Sequence, residues 1–225
     1  MKTGNPEIDN TDADYIIGSD ECGYGAWAGP LVVCAALVSR DWPLASIVCD
    51  SKDLKTEAKR EAVCRKIKNA LLWVIVSTPP EEIDKTGVYA AVQAAHKLAI
   101  KKLLEKHEAT GCVGKILTVV DGNLPIPGAI SLPKADALVP AVSAASIIGK
   151  VARDLYMIKE AQKYPGYDFA RNKGYGGAPA HVEGLNKLGP CAIHRKSYGP
   201  IRDRLQKATE QQEAWGLLVD DDDSV

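Results

Sequence analysis

The sequence contains no long hydrophobic segment. Its longest unbroken apolar run, residues 31–38, is far too short to span a membrane. The N-terminal residues are polar and lack the apolar core of a signal peptide, so we expect a protein that is not exported, has no membrane partner and works in the cytoplasm. Internal repeats are also absent, and the one biased segment is the aspartate run at residues 220–223. With 46% hydrophobic and 25% charged residues, the chain has the composition of an ordinary globular protein.

The sequence also lacks the cysteine patterns that would indicate structural zinc. Its six cysteines are Cys22, Cys34, Cys49, Cys64, Cys112 and Cys191. They are widely spaced, form no C-x-x-C pair and have no histidine at zinc-finger spacing. We therefore expect buried free thiols in a reducing compartment.

The formal net charge is only -1, but the acids are concentrated at the two ends of the chain. Residues 1–14 hold one basic and four acidic residues, and residues 210–225 hold six acids and no base. Residues 15–209 then carry 27 basic and 19 acidic residues, an excess of eight positive charges. That excess favours a polyanionic partner. A surface on which scattered lysines serve only solubility explains it equally well, so the positions of the charges must decide.

A length of 225 residues suits one sizeable α/β domain with a small C-terminal addition. We expect a polar N-terminal tail at residues 1–13, a domain at residues 14–205 and an acidic C-terminal tail at residues 206–225. Strands are predicted at residues 16–20, 31–38, 72–76, 116–120 and 129–132, and helices after Thr56 and at residues 88–105, 140–160 and 179–188. This alternation of strands and helices is typical of an α/β sheet protein.

The helical patterns also predict which polar side chains are buried. The longest predicted helix begins with small apolar residues and continues with Lys150, Arg153 and Asp154, so we expect its beginning to be buried and its charged end to be exposed. Asp154 would then form an ion pair near the end of that helix. We assign His96 and His107 to an exposed helix.

Adjacent carboxylates follow the first predicted strand. Residues 15–30 read Y-I-I-G-S-D-E-C-G-Y-G-A-W-A-G-P, in which Asp20 and Glu21 end an apolar run and Gly23 and Gly25 mark a turn. Two adjacent acids repel each other unless a cation or solvent stabilises them. A solvated turn and a metal site are equally compatible with this stretch.

Two further carboxylates occupy similar places in the chain. Asp121 ends the strongly β-prone run at residues 116–120, and Asp136 precedes the longest predicted helix. Carboxylates gathered from four such positions would form a ligand set for Mg²⁺ or Mn²⁺. Sequence spacing alone does not show that these two acids meet Asp20 and Glu21.

Six blocks of the sequence resemble motifs of ribonuclease HII, the type 2 ribonucleases H. Residues 20–30, D-E-C-G-Y-G-A-W-A-G-P, resemble the family signature D-E-x-G-(R/K)-G-x-x-x-G-P. The other five blocks follow in the family's order at residues 50–52, 121–123, 134–136, 143–154 and 194–198. The resemblance extends over nearly the whole chain and is specific, because six blocks match in sequence.

The resemblance implies a ribonuclease H-like mixed β-sheet flanked by helices, with a small helical C-terminal extension. It implies a metal-dependent endonuclease that hydrolyses the RNA strand of RNA–DNA hybrids and cleaves at ribonucleotides embedded in duplex DNA, leaving 3′-hydroxyl and 5′-phosphate ends. The residues that would hold the metal, as two Mg²⁺ or Mn²⁺ ions, and carry the catalysis are Asp20, Glu21, Asp121 and Asp136.

Substrate contacts are implied by the same resemblance. The turn of Gly23, Tyr24 and Gly25 would reach the 2′-hydroxyl of the ribonucleotide through its backbone, which needs glycines for close approach. Tyr175 would stack on a sugar at the RNA–DNA junction. The phosphate contacts would be Lys52, Lys150, Arg195 and Lys196.

Three departures from the family pattern affect these expectations. Tyr24 stands where the family has Arg or Lys, so a cationic phosphate contact is missing. The chain between Tyr175 and His181 is one residue longer than the family's K-G-Y-(G/P)-T-x-x-H, which leaves the placement of Tyr175 open. Residues 134–136, K-A-D, replace the commoner K-G-D and keep the carboxylate.

Two other functions are compatible with the sequence. A non-catalytic hybrid-binding module of the same fold would keep the basic surface, although the presence of all four acids counts against it. The other is a related-fold nuclease that acts on DNA alone. Its weakness is that it assigns no function to the turn of Gly23 and Gly25.

The expected partners are nucleic acids, bound by a monomer. The C-terminal segment has a spacing that is faintly similar to a sliding-clamp-binding peptide, formed by Gln212, Trp215, Leu218 and Val219. A partly docked amphipathic tail explains this spacing better than a clamp contact does.

Overall fold

The computed structural model describes the backbone of residues 3–49 and 56–220, and the side chains of these ranges except residue 49 and residues 213–220. Lys52, an expected phosphate contact, lies outside the described residues, as does the side chain of Trp215 in the expected clamp-binding segment. Within the described ranges, no helix is both long enough and apolar enough to cross a membrane.

Five strands form one mixed sheet. They are β1 (Tyr15–Cys22), β2 (Leu31–Ser39), β3 (Leu72–Thr78), β4 (Ile116–Asp121) and β5 (Ile130–Leu132). Their order across the sheet is β3-β2-β1-β4-β5, with β1 antiparallel to β2 and parallel to β4. The parallel pairing of β1 with β4 brings the ends of two strands that are distant in sequence to the same edge of the sheet. The expected mixed α/β sheet is therefore confirmed.

The helices cover both faces of this sheet. They are α1 (Pro6–Asp9), α2 (Ala45–Cys49), α3 (Glu57–Ala70), α4 (Pro80–Thr86), α5 (Val88–Glu108), α6 (Pro140–Lys163), α7 (Phe169–Asn172), α8 (Pro179–Leu188) and α9 (Gly199–Asp220). On one face, Ile17 of β1 packs in a buried cluster with Leu103 of α5. On the other face, Ala36 of β2 packs with Ile148 of α6. Successive side chains of β1 therefore point alternately toward α5 and toward α6.

Gly18 allows α6 to approach β1 closely. A Cβ atom built on Gly18 would lie 2.1 Å from the backbone carbonyl carbon of Ala141 in α6. We therefore predict that Gly18→Ala lowers the free energy of unfolding by about 3 kcal/mol, because backbone on both sides has to move apart. Urea unfolding measures this loss. Gly177→Ala is the control, since a Cβ at Gly177 meets nothing within 4 Å, and equal midpoints for the two variants would contradict the prediction.

Most predicted elements are present, and both segments expected as tails contain helix. Residues 1–13 were expected as a loose tail, yet Asn5 caps α1 and Ile8 is buried against the main core. The segment expected as a C-terminal tail from residue 206 instead continues α9 as far as Asp220. Ile8 and Ala13 are both buried in the N-terminal segment, and the helix that begins at Gly199 continues beyond the predicted boundary.

Burial of polar side chains was predicted wrongly in two helices. The second half of α6 is only partly exposed: Arg153 is fully buried and Asp154 is 7% exposed, whereas Leu155 and Lys159 are exposed. His96 and His107 of α5 are 0% and 4% exposed, so their assignment to an exposed helix was also wrong. Cys112 is an exposed thiol, whereas a buried one was expected.

Candidate active site

The two acids at the end of β1 point to opposite faces of the sheet and are each held by a helix on their own side. Asp20 accepts a hydrogen bond from the hydroxyl of Ser146 in α6. Glu21 places its Oε2 atom 3.3 Å from Nε2 of His96 in α5. The alternation of side chains along a strand separates the neighbours in this way, and both carboxylates remain at the same strand end.

Asp121 and Asp136 come to the same edge from the next strand and the segment that follows it. Asp121 is the last residue of β4, directly before Gly122, whose φ of 85° turns the chain away from the sheet. Asp136 lies in a 3₁₀ helix, Ala135–Ala137, and its backbone N–H donates to Oδ1 of Asp121 over 3.4 Å. This link holds the second pair of carboxylates together.

The carboxylates share one electrostatic environment. The pKa of Asp20 is raised to about 8, chiefly by burial and also by the charges of Glu21, Asp121 and Asp136, while the Ser146 hydrogen bond opposes the shift. Burial also raises the pKa of Asp121, with the charge of Asp136 as the next cause. Within the described residues, neither Asp20 nor Asp121 nor Asp136 forms an ion pair with a lysine or arginine. The edge therefore carries negative charge that its neighbours do not neutralise.

The donor set fits hard divalent cations, although the side chains are not drawn together around one point. Four carboxylates without thiol or imidazole donors are the oxygen ligands that Mg²⁺ and Mn²⁺ prefer. Among the residues that the structure describes, no three Asp, Glu, His or Cys side chains lie close enough together to enclose a metal ion. The four acids lie toward one edge of the sheet in an open arrangement, and their role as metal ligands stays a prediction.

A glycine turn between β1 and β2 lies beside this edge and is held from behind by Arg153 of α6. Gly23 has a φ of 89°, and a Cβ atom there would lie 2.1 Å from Nε of Arg153. The guanidinium donates to the carbonyl oxygens of Pro30 at 2.9 Å and Ala28 at 3.0 Å, and to that of Lys173 at 2.9 Å. One buried side chain thus fixes both the turn and the loop that carries Tyr175.

Tyr175 lies directly beside the glycine turn. Its backbone forms an isolated bridge with Ala26, and its ring centre is 5.2 Å from the Arg153 guanidinium. The hydroxyl group is within hydrogen-bonding reach of Cys22 and of the backbone of Gly23. The ring is 37% exposed, which leaves a face for a ligand.

Tyr24 projects from the turn into a cleft beside the carboxylates. The cleft has a volume of about 200 Å³ and is lined by Tyr24, Tyr89, Glu21 and Asp121, among others. Tyr24 is 43% exposed and Tyr89 is 55% exposed. Aromatic rings next to the acids therefore replace the cation that the family signature has at position 24.

Comparison with known proteins shows the family of this chain. The sequence model described as Ribonuclease HII matches residues 17–200. This chain belongs to the ribonuclease HII family. Ribonuclease HII of Idiomarina loihiensis is 38% identical over 192 residues, covering 83% of this chain and 96% of that protein. The enzyme of Hyphomonas neptunium is 36% identical over 200 residues, covering 83% and 94%.

A solved structure shows the same fold. The ribonuclease H2 from Pyrococcus horikoshii OT3 superposes with a TM-score of 0.68 at 25% identity, covering 86% of this chain and 98% of that one. Ribonuclease HII is an endonuclease that acts on RNA–DNA hybrids, and this chain is such an enzyme.

The structure revises two of the phosphate contacts expected for this ribonuclease HII. Arg195 is fully buried, and it donates to the carbonyl oxygens of Gly29 at 3.0 Å and Tyr24 at 2.9 Å, so it supports the glycine turn instead of facing solvent. Lys150 is half-buried and pairs with Asp154 at 2.7 Å. That ion pair lies within α6, not near its end as expected. Lys196 is exposed and stays available to a phosphate.

Sequence reasoning missed His96 and Arg153, both of which support the ribonuclease HII site. His96 follows Val92 by four positions and precedes Ala99 by three, so helical spacing places it on the face that the apolar residues of α5 bury. That signal was available in the sequence. For Arg153 none was, because its burial depends on loops contributed by residues far along the chain.

Two buried histidines are hydrogen-bonded to the loop of Tyr175. The backbone N–H of Cys191 donates to Nδ1 of His194 over 2.9 Å, so Nε2 of His194 carries the proton and donates to Nε2 of His181 over 3.0 Å. Nδ1 of His181 then donates to the carbonyl oxygen of Tyr175 over 3.0 Å. Both rings are neutral in this chain of hydrogen bonds.

This histidine pair predicts a loss of stability in acid. Burial, together with the neighbouring His181, lowers the pKa of His194 to about 4. In the unfolded chain a histidine has a pKa of about 6.5, so the unfolded state binds more protons as the pH falls from about 6.5 to 4. The stabilisation is thus complete above that window and is lost within it.

Urea unfolding of the wild type and of His194→Asn, whose side chain does not titrate, isolates this contribution. We expect the difference in free energy of unfolding between the two proteins to be largest near pH 7 and to shrink toward pH 4.5. A difference that stays constant across this range would show that His194 does not titrate with folding.

Proposed function

We propose that this ribonuclease HII depends on divalent cations held by Asp20, Glu21, Asp121 and Asp136, and that it cleaves both RNA–DNA hybrids and duplex DNA at embedded ribonucleotides. The observation that carries the proposal is the open edge of carboxylates, where burial and neighbouring acids raise the pKa of Asp20 and of Asp121. None of the four acids forms an ion pair with a lysine or arginine among the described residues. Holding negative charge at this density costs stability unless a cation is bound.

The carboxylates would hold the cations at the place where the scissile phosphate is hydrolysed. When bound, Mg²⁺ or Mn²⁺, as two ions, would supply the Lewis acidity that phosphodiester hydrolysis requires. The backbone link from Asp136 to Asp121 and the Ser146 contact to Asp20 orient the ligand oxygens before the substrate arrives. Since water acts as the nucleophile and the ribose 2′-hydroxyl does not, the products carry 3′-hydroxyl and 5′-phosphate ends.

The glycine turn would distinguish a ribonucleotide from a deoxyribonucleotide. The side chains of Arg153 and Arg195 draw the carbonyl groups of the turn inward. Within the described part of the chain, the backbone N–H groups of Tyr24 and Gly25 have no acceptor, so they are available to a 2′-hydroxyl. Tyr175, beside the turn, would stack on the sugar across the junction, and Lys196 would contact a phosphate.

A panel of three duplexes tests this proposal. The substrates are a long RNA–DNA hybrid, a DNA duplex with one ribonucleotide and an all-DNA duplex, each incubated with Mg²⁺, with Mn²⁺ or with EDTA. We expect cleavage of the first two in the presence of metal, none in EDTA and none of the all-DNA duplex. Binding without cleavage in either metal would favour a non-catalytic module, and cleavage of the all-DNA duplex would favour a DNA nuclease.

Several finer expectations stay predictions. The chain is expected to act as a monomer in the cytoplasm, in DNA replication and repair. A weak contact between the C-terminal segment and a sliding clamp is a further prediction. Analytical ultracentrifugation of the protein alone and with a clamp would measure both the oligomeric state and the contact.

A further inference from the structure

His96 connects the candidate active site to the interior of the protein. Its side chain is 0% exposed and lies between α5 and β1. Nε2 of His96 is 3.3 Å from Oε2 of Glu21, and Nδ1 is 2.8 Å from Oγ of Ser19. Ser19 is also fully buried, and its Oγ lies 3.2 Å from the carbonyl oxygen of Cys34. Three residues thus form a hydrogen-bonded line that ends on a candidate metal ligand.

Both ring nitrogens of His96 have a polar partner. A carboxylate at Glu21 can only accept hydrogen bonds, so Nε2 of His96 is the donor in that contact. The hydroxyl of Ser19 donates to the carbonyl oxygen of Cys34, and the Ser19 oxygen lies 2.8 Å from Nδ1 of His96. The ring is therefore fixed from both sides.

We propose that His96 is a positioning residue that orients the Glu21 carboxylate for cation binding. By holding Oε2 toward α5, it leaves Oε1 as the oxygen that a cation can take. A ligand whose second oxygen is fixed in this way loses less freedom when the metal binds. Asp20 has the matching arrangement on the other face of the sheet, where Ser146 of α6 holds it. This inference rests on the proposed function, because it presumes that Glu21 is a metal ligand.

Binding of Mn²⁺ to the protein without nucleic acid tests the inference, with free Mn²⁺ measured by electron paramagnetic resonance. His96→Leu keeps an apolar side chain in the helix but removes the donor, and we expect it to weaken Mn²⁺ binding by about 10- to 100-fold. His96→Gln keeps an N–H group that can reach Glu21, and we expect it to restore most of the affinity. The thermal midpoint of each variant reports whether it is folded.

A second background separates positioning from a general effect on the fold. In Glu21→Ala, the carboxylate that His96 orients is absent, so adding His96→Leu should leave the Mn²⁺ affinity unchanged. An equal loss in both backgrounds would overturn the inference, as would equal affinities for the wild type and His96→Leu. If His96→Leu does not fold, Ser19→Ala replaces it, since that variant frees Nδ1. Unchanged affinity in Ser19→Ala would then contradict the inference.

The same titration distinguishes this inference from the proposed function. A wild-type protein that binds no Mn²⁺ would overturn the proposed metal site, and the role of His96 with it. Normal binding by the wild type, lost in Asp121→Asn but unchanged in His96→Leu, would overturn the role of His96 alone.

Discussion

Asp121→Asn is expected to lower the rate of hybrid cleavage at saturating Mg²⁺ by about 10³-fold or more. Asp121 ends β4 and accepts a hydrogen bond from the backbone N–H of Asp136. Its carboxylate therefore contributes negative charge to the proposed metal site. An amide of the same shape removes that charge. A loss of several kcal/mol of transition-state stabilisation corresponds to this factor, at about 1.4 kcal/mol for each tenfold change.

The control for this variant is Asp41→Asn, which removes one exposed carboxylate distant from the carboxylate edge. We expect the control to cleave at the wild-type rate. We also expect Asp121→Asn to unfold at a temperature no lower than the wild type in EDTA, because it relieves repulsion from Asp136. Cleavage by Asp121→Asn at more than a tenth of the wild-type rate would remove this residue from the mechanism.

Arg153→Met should lower the free energy of unfolding by about 3 kcal/mol or more. The guanidinium of Arg153 donates to three carbonyl oxygens, from Ala28, Pro30 and Lys173, in a fully buried position. Methionine fills much of the volume but leaves these acceptors without their donors, and each unsatisfied buried group costs about 1–3 kcal/mol. For a protein of this size, the thermal midpoint should fall by about 6–12 °C.

Lys159→Met is the matched control, because Lys159 is an exposed cation on the same helix. Differential scanning calorimetry of the two variants should show a change of less than about 2 °C for the control. Activity provides a second measurement. Since Arg153 fixes the glycine turn and the Tyr175 loop, we expect any folded Arg153→Met protein to bind the hybrid more weakly. A midpoint equal to that of the control would contradict the structural role given to Arg153.

The sequence correctly predicted the strands, helices and helix caps that depend on neighbouring residues. The apolar run at residues 31–38 forms the buried strand β2, and the helix predicted at residues 179–188 has the bounds of α8. Thr56 caps α3, as its position before a helical pattern indicated, with its side chain accepting from the N–H of Lys59. These features depend on a few neighbouring residues, so the sequence holds enough information to place them.

The gathering of the acids depends on contacts between distant parts of the chain. Asp20 and Asp121 share an edge because β1 and β4 are parallel neighbours, and spacing along the chain does not specify such a pairing. The family motifs, and not the residue pattern, carried that expectation. Arg195 shows the opposite failure: its motif placed it near the substrate, while the structure places its guanidinium behind the glycine turn.

The central claim is that the carboxylate edge holds the divalent cations. Crystals grown with Mn²⁺ and measured near the manganese absorption edge would locate the metal by its anomalous scattering. We expect peaks within bonding distance of carboxylate oxygens from Asp20, Glu21, Asp121 and Asp136. An active protein whose manganese peaks lie elsewhere, with these four side chains free of metal, would contradict the claim.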